Sequence, residues 1–312
     1  PQDGRITMNI DHQEYDIRVS VLPSCYGEKI VMRLASATAL TRSKSDLGMR
    51  EWELKEFEHI ISNPNGILLV TGPTGSGKST TLYTALSELN KESVNIITVE
   101  DPVEANIPGI NQVQVNPKAD LTFATALRSI LRQDPDIIMI GEIRDYETAS
   151  IAVQASITGH LVVSTLHTNS SSAAFTRLLD MGVESYLLAD SVVGVIAQRL
   201  VRKLCKACRK PRQATETEKV ILGKAPEDDV TVYDPCGCQL CGDSGYYGRI
   251  GVYEMIEMTP ELRHIITTRG STEEIKAMGL KQGMRTLRMS AAEYVQEGIT
   301  TIDEMLKVSF EE

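Results

Sequence analysis

No stretch of this sequence approaches the ~18 consecutive apolar residues that a membrane-spanning helix needs, and nothing at its start reads as a secretory leader. Position 1 is Pro, which fits a segment of a longer chain. Positive charge is in deficit: 32 Lys and Arg against 42 Asp and Glu leave a net charge of -10. Broad nucleic-acid binding depends on neutralising phosphates and is therefore disfavoured, although a local basic patch is not. Cysteine is sparse, six residues in 312. In a chain with the loop described next, they point to a reducing compartment and to metal ligation rather than disulfides. Internal repeats and low-complexity segments are missing as well. What remains is 42% hydrophobic residues over a length suited to two or three domains, enough for a sizeable core.

The stretch from Gly66 to Ser79 organises the rest. Ile67 to Val70 reads as a buried strand, and the residues after Ser79 continue as a helix. Between them, Gly72, four residues, Gly77, Lys78 and Ser79 fit the phosphate-binding pattern G-x-x-x-x-G-K-[ST]. The spacing follows from chemistry. Glycines at 72, 75 and 77 let main-chain N–H groups turn inward onto phosphate oxygens. The helix start adds free N–H groups and a positive dipole end. Lys78 supplies a charge at the β- and γ-phosphates, and the Ser79 hydroxyl a ligand for Mg²⁺. Gly72, Pro73, Thr74, Gly75, Ser76, Gly77, Lys78, Ser79 and Thr80 are thus the nucleotide-binding candidates.

Residues 1–36 alternate apolar and polar positions and read as a small antiparallel piece carrying Arg5, Arg18 and Arg33. Residues 37–47, small and polar, read as a linker, and a helix is expected over 50–61. A strand over 95–99 ends in Glu100, Asp101 and Glu104, where a metal and an attacking water would sit. A helix over 123–132 carries Arg128 and Arg132 on one face. Ile137 to Glu142 reads as a central strand with an acidic tip. Gly141 stands where an Asp would usually end it, so Glu142 is assigned to Mg²⁺. A helix over 146–157 and a strand over 161–166 follow, with His160 and His167 at the strand's two ends. Both are candidates for sensing phosphate through N–H donation. Strands alternating with helices predict a parallel, doubly wound α/β core. Residues 191–201 read as helical.

Cys205-Lys-Ala-Cys208 and Cys238-Gln-Leu-Cys241 are two C-x-x-C pairs, which suits a tetrahedral, structural zinc site on a small lobe. Cys236 is an alternative to Cys238 on spacing alone, and Cys25 is left over. Short helices are expected over 259–312, with capping-box patterns at Ser271/Glu274 and Thr301/Glu304.

Together these stretches resemble the ATPases of type II secretion and type IV pilus assembly, the GspE/PilB group. The resemblance rests on G-P-T-G-S-G-K-S-T-T-L-Y at 72–83, T-V-E-D-P-V-E at 98–104, R-Q-D-P-D-I-I-M-I-G-E-I-R-D at 132–145, T-G-H-L-V-V-S-T-L-H-T-N at 158–169 and the tetracysteine insert. It implies a RecA-like P-loop core (49–203) after a partial N-terminal α+β, PAS-like domain (1–36) and a linker (37–48). A zinc lobe (204–250) and a C-terminal helical subdomain (251–312) would complete the chain. It implies that Glu104 polarises water, that Glu142 is the Walker B acid and that His160 and His167 form the His box. Arg18 and Arg33 would reach phosphates from the N-terminal domain, with Arg5 a weaker match. The implied cofactors are ATP, Mg²⁺ and Zn²⁺. The implied partners are five further copies in a homo-hexamer, and the inner-membrane platform and cytoplasmic-ring proteins of the machine. No nucleic acid is implied. The implied location is the cytoplasm, peripheral to the inner membrane. The zinc pairs speak against a retraction motor, and residues 154–156 and 194–200 lean toward the type II branch. The competing expectation is a DNA-translocating or DNA-uptake ATPase on the same core.

Overall fold

The computed structural model describes residues 1–10, 13–36 and 43–309. The chain opens with β1 (Gln2–Ile10), β2 (Gln13–Ser24) and β3 (Gly27–Ser36), an antiparallel three-stranded sheet. The two-residue turn at Cys25 and Tyr26 sets Ser24 opposite Gly27, whose φ of 116° suits glycine. Counting six residues back along each strand puts Arg18 opposite Arg33, and the β1–β2 register puts Arg5 opposite Arg18. Directly paired residues share a sheet face, so the three arginines form one row across the sheet. Ile6, Ile17 and Leu34 form a row on the other face.

The linker expected over 37–48 lies partly outside the described residues. Its last part is ordered: Lys44–Leu47 form a 3-10 turn with Leu47 buried, and α1 (Glu51–Ile61) follows. The core then runs β4 (Gly66–Thr71), α2 (Lys78–Leu89), β5 (Ile96–Glu100), β6 (Asn111–Gln114), α3 (Phe123–Ile130), β7 (Ile137–Ile140), α4 (Tyr146–Ile157), β8 (Leu161–Leu166), α5 (Ser171–Asp180) and α6 (Ser185–Ser191). After it come β9 (Val192–Leu204), β10 (Lys210–Gln213), α7 (Glu216–Ile221), β11 (Thr231–Asp234) and β12 (Tyr246–Glu257). The chain ends in α8 (Pro260–Thr267), α9 (Thr272–Lys281), α10 (Leu287–Gln296) and α11 (Ile302–Ser309).

Seven strands form one sheet in the order β12-β9-β4-β8-β7-β5-β6, with every neighbouring pair parallel except β12 with β9. β4 and β8 are buried at all six positions, as strands covered on both faces must be. The strand period of two divides their side chains between two cores. Ile67 and Leu69 join Val162 and Phe175 on one face. Leu68 and Val70 join Val163, Leu82, Leu86 and Phe57 on the other. A third core, with Val201, Val252, Leu287, Val295 and Met305, fixes α10 and α11 against the far ends of β9 and β12.

One element differs from the sequence reading. Of residues 191–201, expected as a helix, Ser191 ends α6 and 192–201 form the start of a 13-residue strand, β9. The short apolar run at 192–197 does not by itself tell a buried strand from a buried helix. Here β9 fills the slot between β4 and β12, where Gly194 lets it approach α1 closely: a Cβ there would stand 2.9 Å from Ile60. At the C-terminus the Ser271/Glu274 capping box forms in full. The Thr301/Glu304 box forms by half: Glu304 N donates to Thr301 Oγ1, while the Glu304 carboxylate turns to Arg202 and Lys307.

Candidate functional site

β4 delivers its chain into the loop 72–77, and α2 starts at Lys78. The loop is built for glycine at two points. Gly72 (φ 150°) has Gln198 O within 2.5 Å of where a Cβ would lie, and Gly77 (φ 92°) has Gln198 Nε2 within 2.8 Å. With no side chain at either glycine, Gln198 of β9 packs directly against the loop; the Gly72 and Ser76 amides donate to Leu166 O and Pro73 O. Ser76 Oγ is buried and meets no hydrogen-bond partner among the described residues. A glycine cradle with a spare buried hydroxyl fits a phosphate chain.

Lys78 is buried and folds back onto its own loop, donating from Nζ to Gly72 O (2.8 Å) and Pro73 O (3.0 Å). Burial pulls its pKa down to about 8; Glu142 opposes the shift and Arg199 adds to it. Ser79 and Thr80 line the mouth of the same cleft, which encloses about 640 Å³. A second hollow of about 640 Å³ adjoins it, sharing Gly77, Thr80, Leu200 and Arg249 and bounded by residues 45–48.

The acids come from the next strand tips. Glu142 follows β7, two residues past its end. Its carboxylate pairs with Arg144 and lies 3.5 Å from His167 Nε2. Gly141 follows β7, which runs parallel beside β5: a Cβ there would be 3.3 Å from the Glu100 Cα, so a larger side chain would crowd β5. Glu100 itself is buried, accepting from Tyr83 Oη, Thr98 Oγ1 and Gln112 Nε2, so it belongs to the scaffold. Glu104 is one-third exposed at the rim, and Arg18 Nη2 donates to its Oε2 at 2.7 Å. Its backbone N–H donates to Tyr83 Oη at 3.1 Å. Burial, and then the Glu100 carboxylate, push the Tyr83 phenol well above its usual range, so it stays protonated and ties the two acids together.

The arginine row faces this rim. Arg33 lines the cleft. Arg18 sits between Glu104 and the buried Asp16 (3.5 Å), and Arg5 is held on Asp16 at 2.5 Å. The two histidines separate. His167 ends β8 in the cleft. His160 precedes β8, its Nδ1 2.8 Å from Ala155 O. Seven residue steps at ~3.3 Å each put it about 23 Å from His167, at the opposite end of the strand. The structure therefore brings together Lys78, Ser79, Thr80, Glu142, Glu104, Arg33, Arg18 and His167, and leaves His160 and Arg5 outside. Arg128 pairs with Glu147 of its own chain at 2.6 Å. Sequence reasoning missed Tyr83, Arg144 and Arg249. Tyr83 reads as one more core residue of α2, and the arginines lie outside any phosphate motif.

Sγ atoms of Cys205, Cys208, Cys238 and Cys241 lie within 4.8 Å of one another. Three of the separations are 3.7, 3.8 and 3.9 Å. A tetrahedron with Zn–S bonds of ~2.3 Å has S–S edges of about 3.8 Å, so the four thiols fit zinc as they stand. Backbone N–H groups of Cys238 and Gly245 point at Cys241 Sγ, 3.2 and 3.3 Å away, as second-layer donors to a thiolate. Cys236 is exposed and turned toward Asp234 O, outside the cluster.

A model of the family described as Type II/IV secretion system protein matches residues 1–307. Type II secretion system protein E of Pseudomonas aeruginosa is 51% identical over 312 residues, all of this chain and 62% of its own length. Type IV pilus assembly ATPase PilB of Myxococcus xanthus is 48% identical over 310 residues, 98% of this chain and 55% of its own length. The chain thus spans less than two thirds of these curated relatives. Among solved structures, the pilus retraction motor PilT with bound ADP is similar at a TM-score of 0.71 and 26% identity, over 98% of this chain and 77% of that one.

Proposed function

The chain belongs to the type II/IV secretion system protein family, and on that premise we propose that it hydrolyses ATP to drive type II protein secretion or type IV pilus assembly. The observation that carries this reading is the convergence of Lys78, Ser79, Glu142, Glu104 and Arg33 on one cleft at the C-terminal ends of parallel strands. That is where doubly wound sheets bind their ligands.

The geometry supports the following roles. The loop amides and Lys78 grip the phosphates, Lys78 exchanging the carbonyls of Gly72 and Pro73 for phosphate oxygens. The Ser79 hydroxyl and Glu142 would hold Mg²⁺, which when bound supplies positive charge to the β- and γ-phosphate oxygens. Glu104 orients the attacking water and takes its proton. Arg18 is the charged partner that Glu104 already has. Moving Arg18 from the carboxylate to the γ-phosphate frees Glu104 for water and brings the cation to the developing charge. Arg33 joins it from the same sheet face. His167 donates from Nε2 beside Glu142. His160, at the opposite end of the strand from the cleft, has no phosphate role within its own chain. Zinc at the four cysteines is structural, since a closed thiolate set leaves no open position.

Family resemblance extends the reading to a homo-hexamer at the cytoplasmic face of the inner membrane, working against platform and cytoplasmic-ring proteins and using no nucleic acid. Among the described residues no helix is long and apolar enough to cross a membrane. Steady-state phosphate release by the purified protein, with and without DNA, tests the reading. Turnover that is insensitive to DNA and abolished in Lys78→Ala is expected. Turnover raised several-fold by DNA would favour a DNA motor instead, and turnover equal in wild type and Lys78→Ala would dismiss the cleft.

A further inference from the structure

β12 reads Val-Tyr-Glu-Met-Ile at 252–256, an apolar strand broken by one carboxylate. Glu254 is 1% exposed. Its Oε1 accepts from Ser171 N (2.8 Å) and Ser171 Oγ (2.5 Å), and its Oε2 accepts from Leu287 N (3.3 Å). Ser171 is the first residue of α5 and Leu287 the first of α10. One buried carboxylate therefore seals the N-terminal ends of two helices, one oxygen to each, where the helix dipoles favour negative charge. Each helix already has its own cap, Ser170 Oγ on Ala173 N and Thr286 Oγ1 on Met289 N. Glu254 adds a link between the helices rather than a missing cap.

What the link joins gives it meaning. α5 follows His167 by four residues, and the intervening loop is bound to the phosphate-loop strand. Thr168 N donates to Thr71 Oγ1 at 2.9 Å, and Arg199 holds Asn169 O at 3.1 Å. At its other end, α10 holds the entry to the core. Tyr294 Oη donates to Gly48 O at 3.0 Å, and Arg50 pairs with Glu293 and Glu297, each at 2.9 Å. Residues 48–50 lie on the side of the chain that leads back to the arginine-bearing sheet.

We infer that Glu254 is a positioning residue that makes the His167 loop and helix α10 respond together to bound nucleotide, so that the phosphate site and residues 48–50 are coupled. This rests on the reading of the cleft as a Mg-ATP site. A rigid connection needs an acceptor at both oxygens. In Glu254→Gln one of the two positions becomes an N–H donor facing another donor at a site only 1% exposed. Ser171→Ala is the milder variant, removing one of the two bonds on the α5 side.

The test is hydrogen exchange of the chain with and without a non-hydrolysable Mg-ATP analogue, read at residues 72–80 and at 287–296, together with ATP affinity and turnover. In wild type both segments should change on binding. In Glu254→Gln the change at 287–296 should fall at least fivefold, and in Ser171→Ala at least twofold, while 72–80 respond as in wild type. Affinity should stay within twofold while turnover drops about tenfold in Glu254→Gln. A merely structural role would lower stability without separating the two segments. A wild-type response at 287–296 in Ser171→Ala and in any folded Glu254→Gln overturns the inference. So does a wild type that protects 72–80 but leaves 287–296 unchanged. If wild type protects neither segment, the ATP reading itself falls.

Discussion

Lys78 gives the sharpest quantitative prediction. In the free chain its ammonium is buried and its pKa is drawn down to about 8. A phosphate chain laid against it favours the charged form strongly, so the pKa in the complex lies well above that of the free site. Between those two values, binding must take up one proton, and affinity falls as pH rises. The sign follows directly: below pH 8 the lysine is already charged and affinity is flat; above it, an increasing fraction must first be protonated. At pH 9 only about one tenth of free sites carry the charge, so affinity should be about tenfold weaker than at pH 7. The assay is equilibrium titration of a fluorescent ATP analogue with excess Mg²⁺ at several pH values. Calorimetry at pH 9 in two buffers of different ionisation enthalpy would count the proton. Lys78→Arg provides the control, because a guanidinium keeps its charge throughout. Equal wild-type affinity at pH 7 and pH 9, or the same fall in Lys78→Arg, refutes the reasoning.

Three further outcomes are expected. Arg18→Ala should lower turnover by about 10³ or more, as loss of an arginine finger does elsewhere, with ATP affinity altered by less than about threefold; unchanged turnover in a kinetic titration removes Arg18 from the reaction. Elemental analysis should find one zinc per chain, and chelation should open residues 205–241 to limited proteolysis; less than half an equivalent in carefully prepared protein defeats the tetrathiolate assignment. Burial alone would raise the Glu304 pKa, but bonds from Arg202 and Lys307 outweigh it and hold it at about 2, below the ordinary 4.5. Its contribution to stability is therefore complete above pH 4.5 and lost as pH falls toward 2. Acid denaturation followed by circular dichroism should be shallower over that window in Glu304→Gln, and identical curves would contradict the assignment.

The phosphate loop was legible because its chemistry is written in the backbone: positive φ and close approach at Gly72 and Gly77 leave few residue choices. The central strands were legible because burial on both faces demands unbroken apolar runs. The same property hid β9, since the apolar run at 192–197 carries no period to tell strand from helix. The arginine row was visible residue by residue but not as a row, because only the pairing register aligns it. The symmetric distances of Arg18 and Arg33 from the Cys25–Tyr26 turn were the available signal. His160 and His167 could not both reach one phosphate, since the seven residue steps between them span about 23 Å. Tyr83 and Glu254 act through hydrogen bonds to parts of the chain distant in sequence, which no local pattern encodes, although a lone carboxylate within Val252–Ile256 was an anomaly that asked for a partner.

The assignment of Glu104 as the group that activates water is tested most directly by the nucleotide that Glu104→Gln retains after incubation with Mg-ATP, identified by chromatography. Intact ATP, bound with wild-type affinity, is the expected result, where the wild type yields ADP. Release of ADP by the variant at the wild-type rate would contradict it.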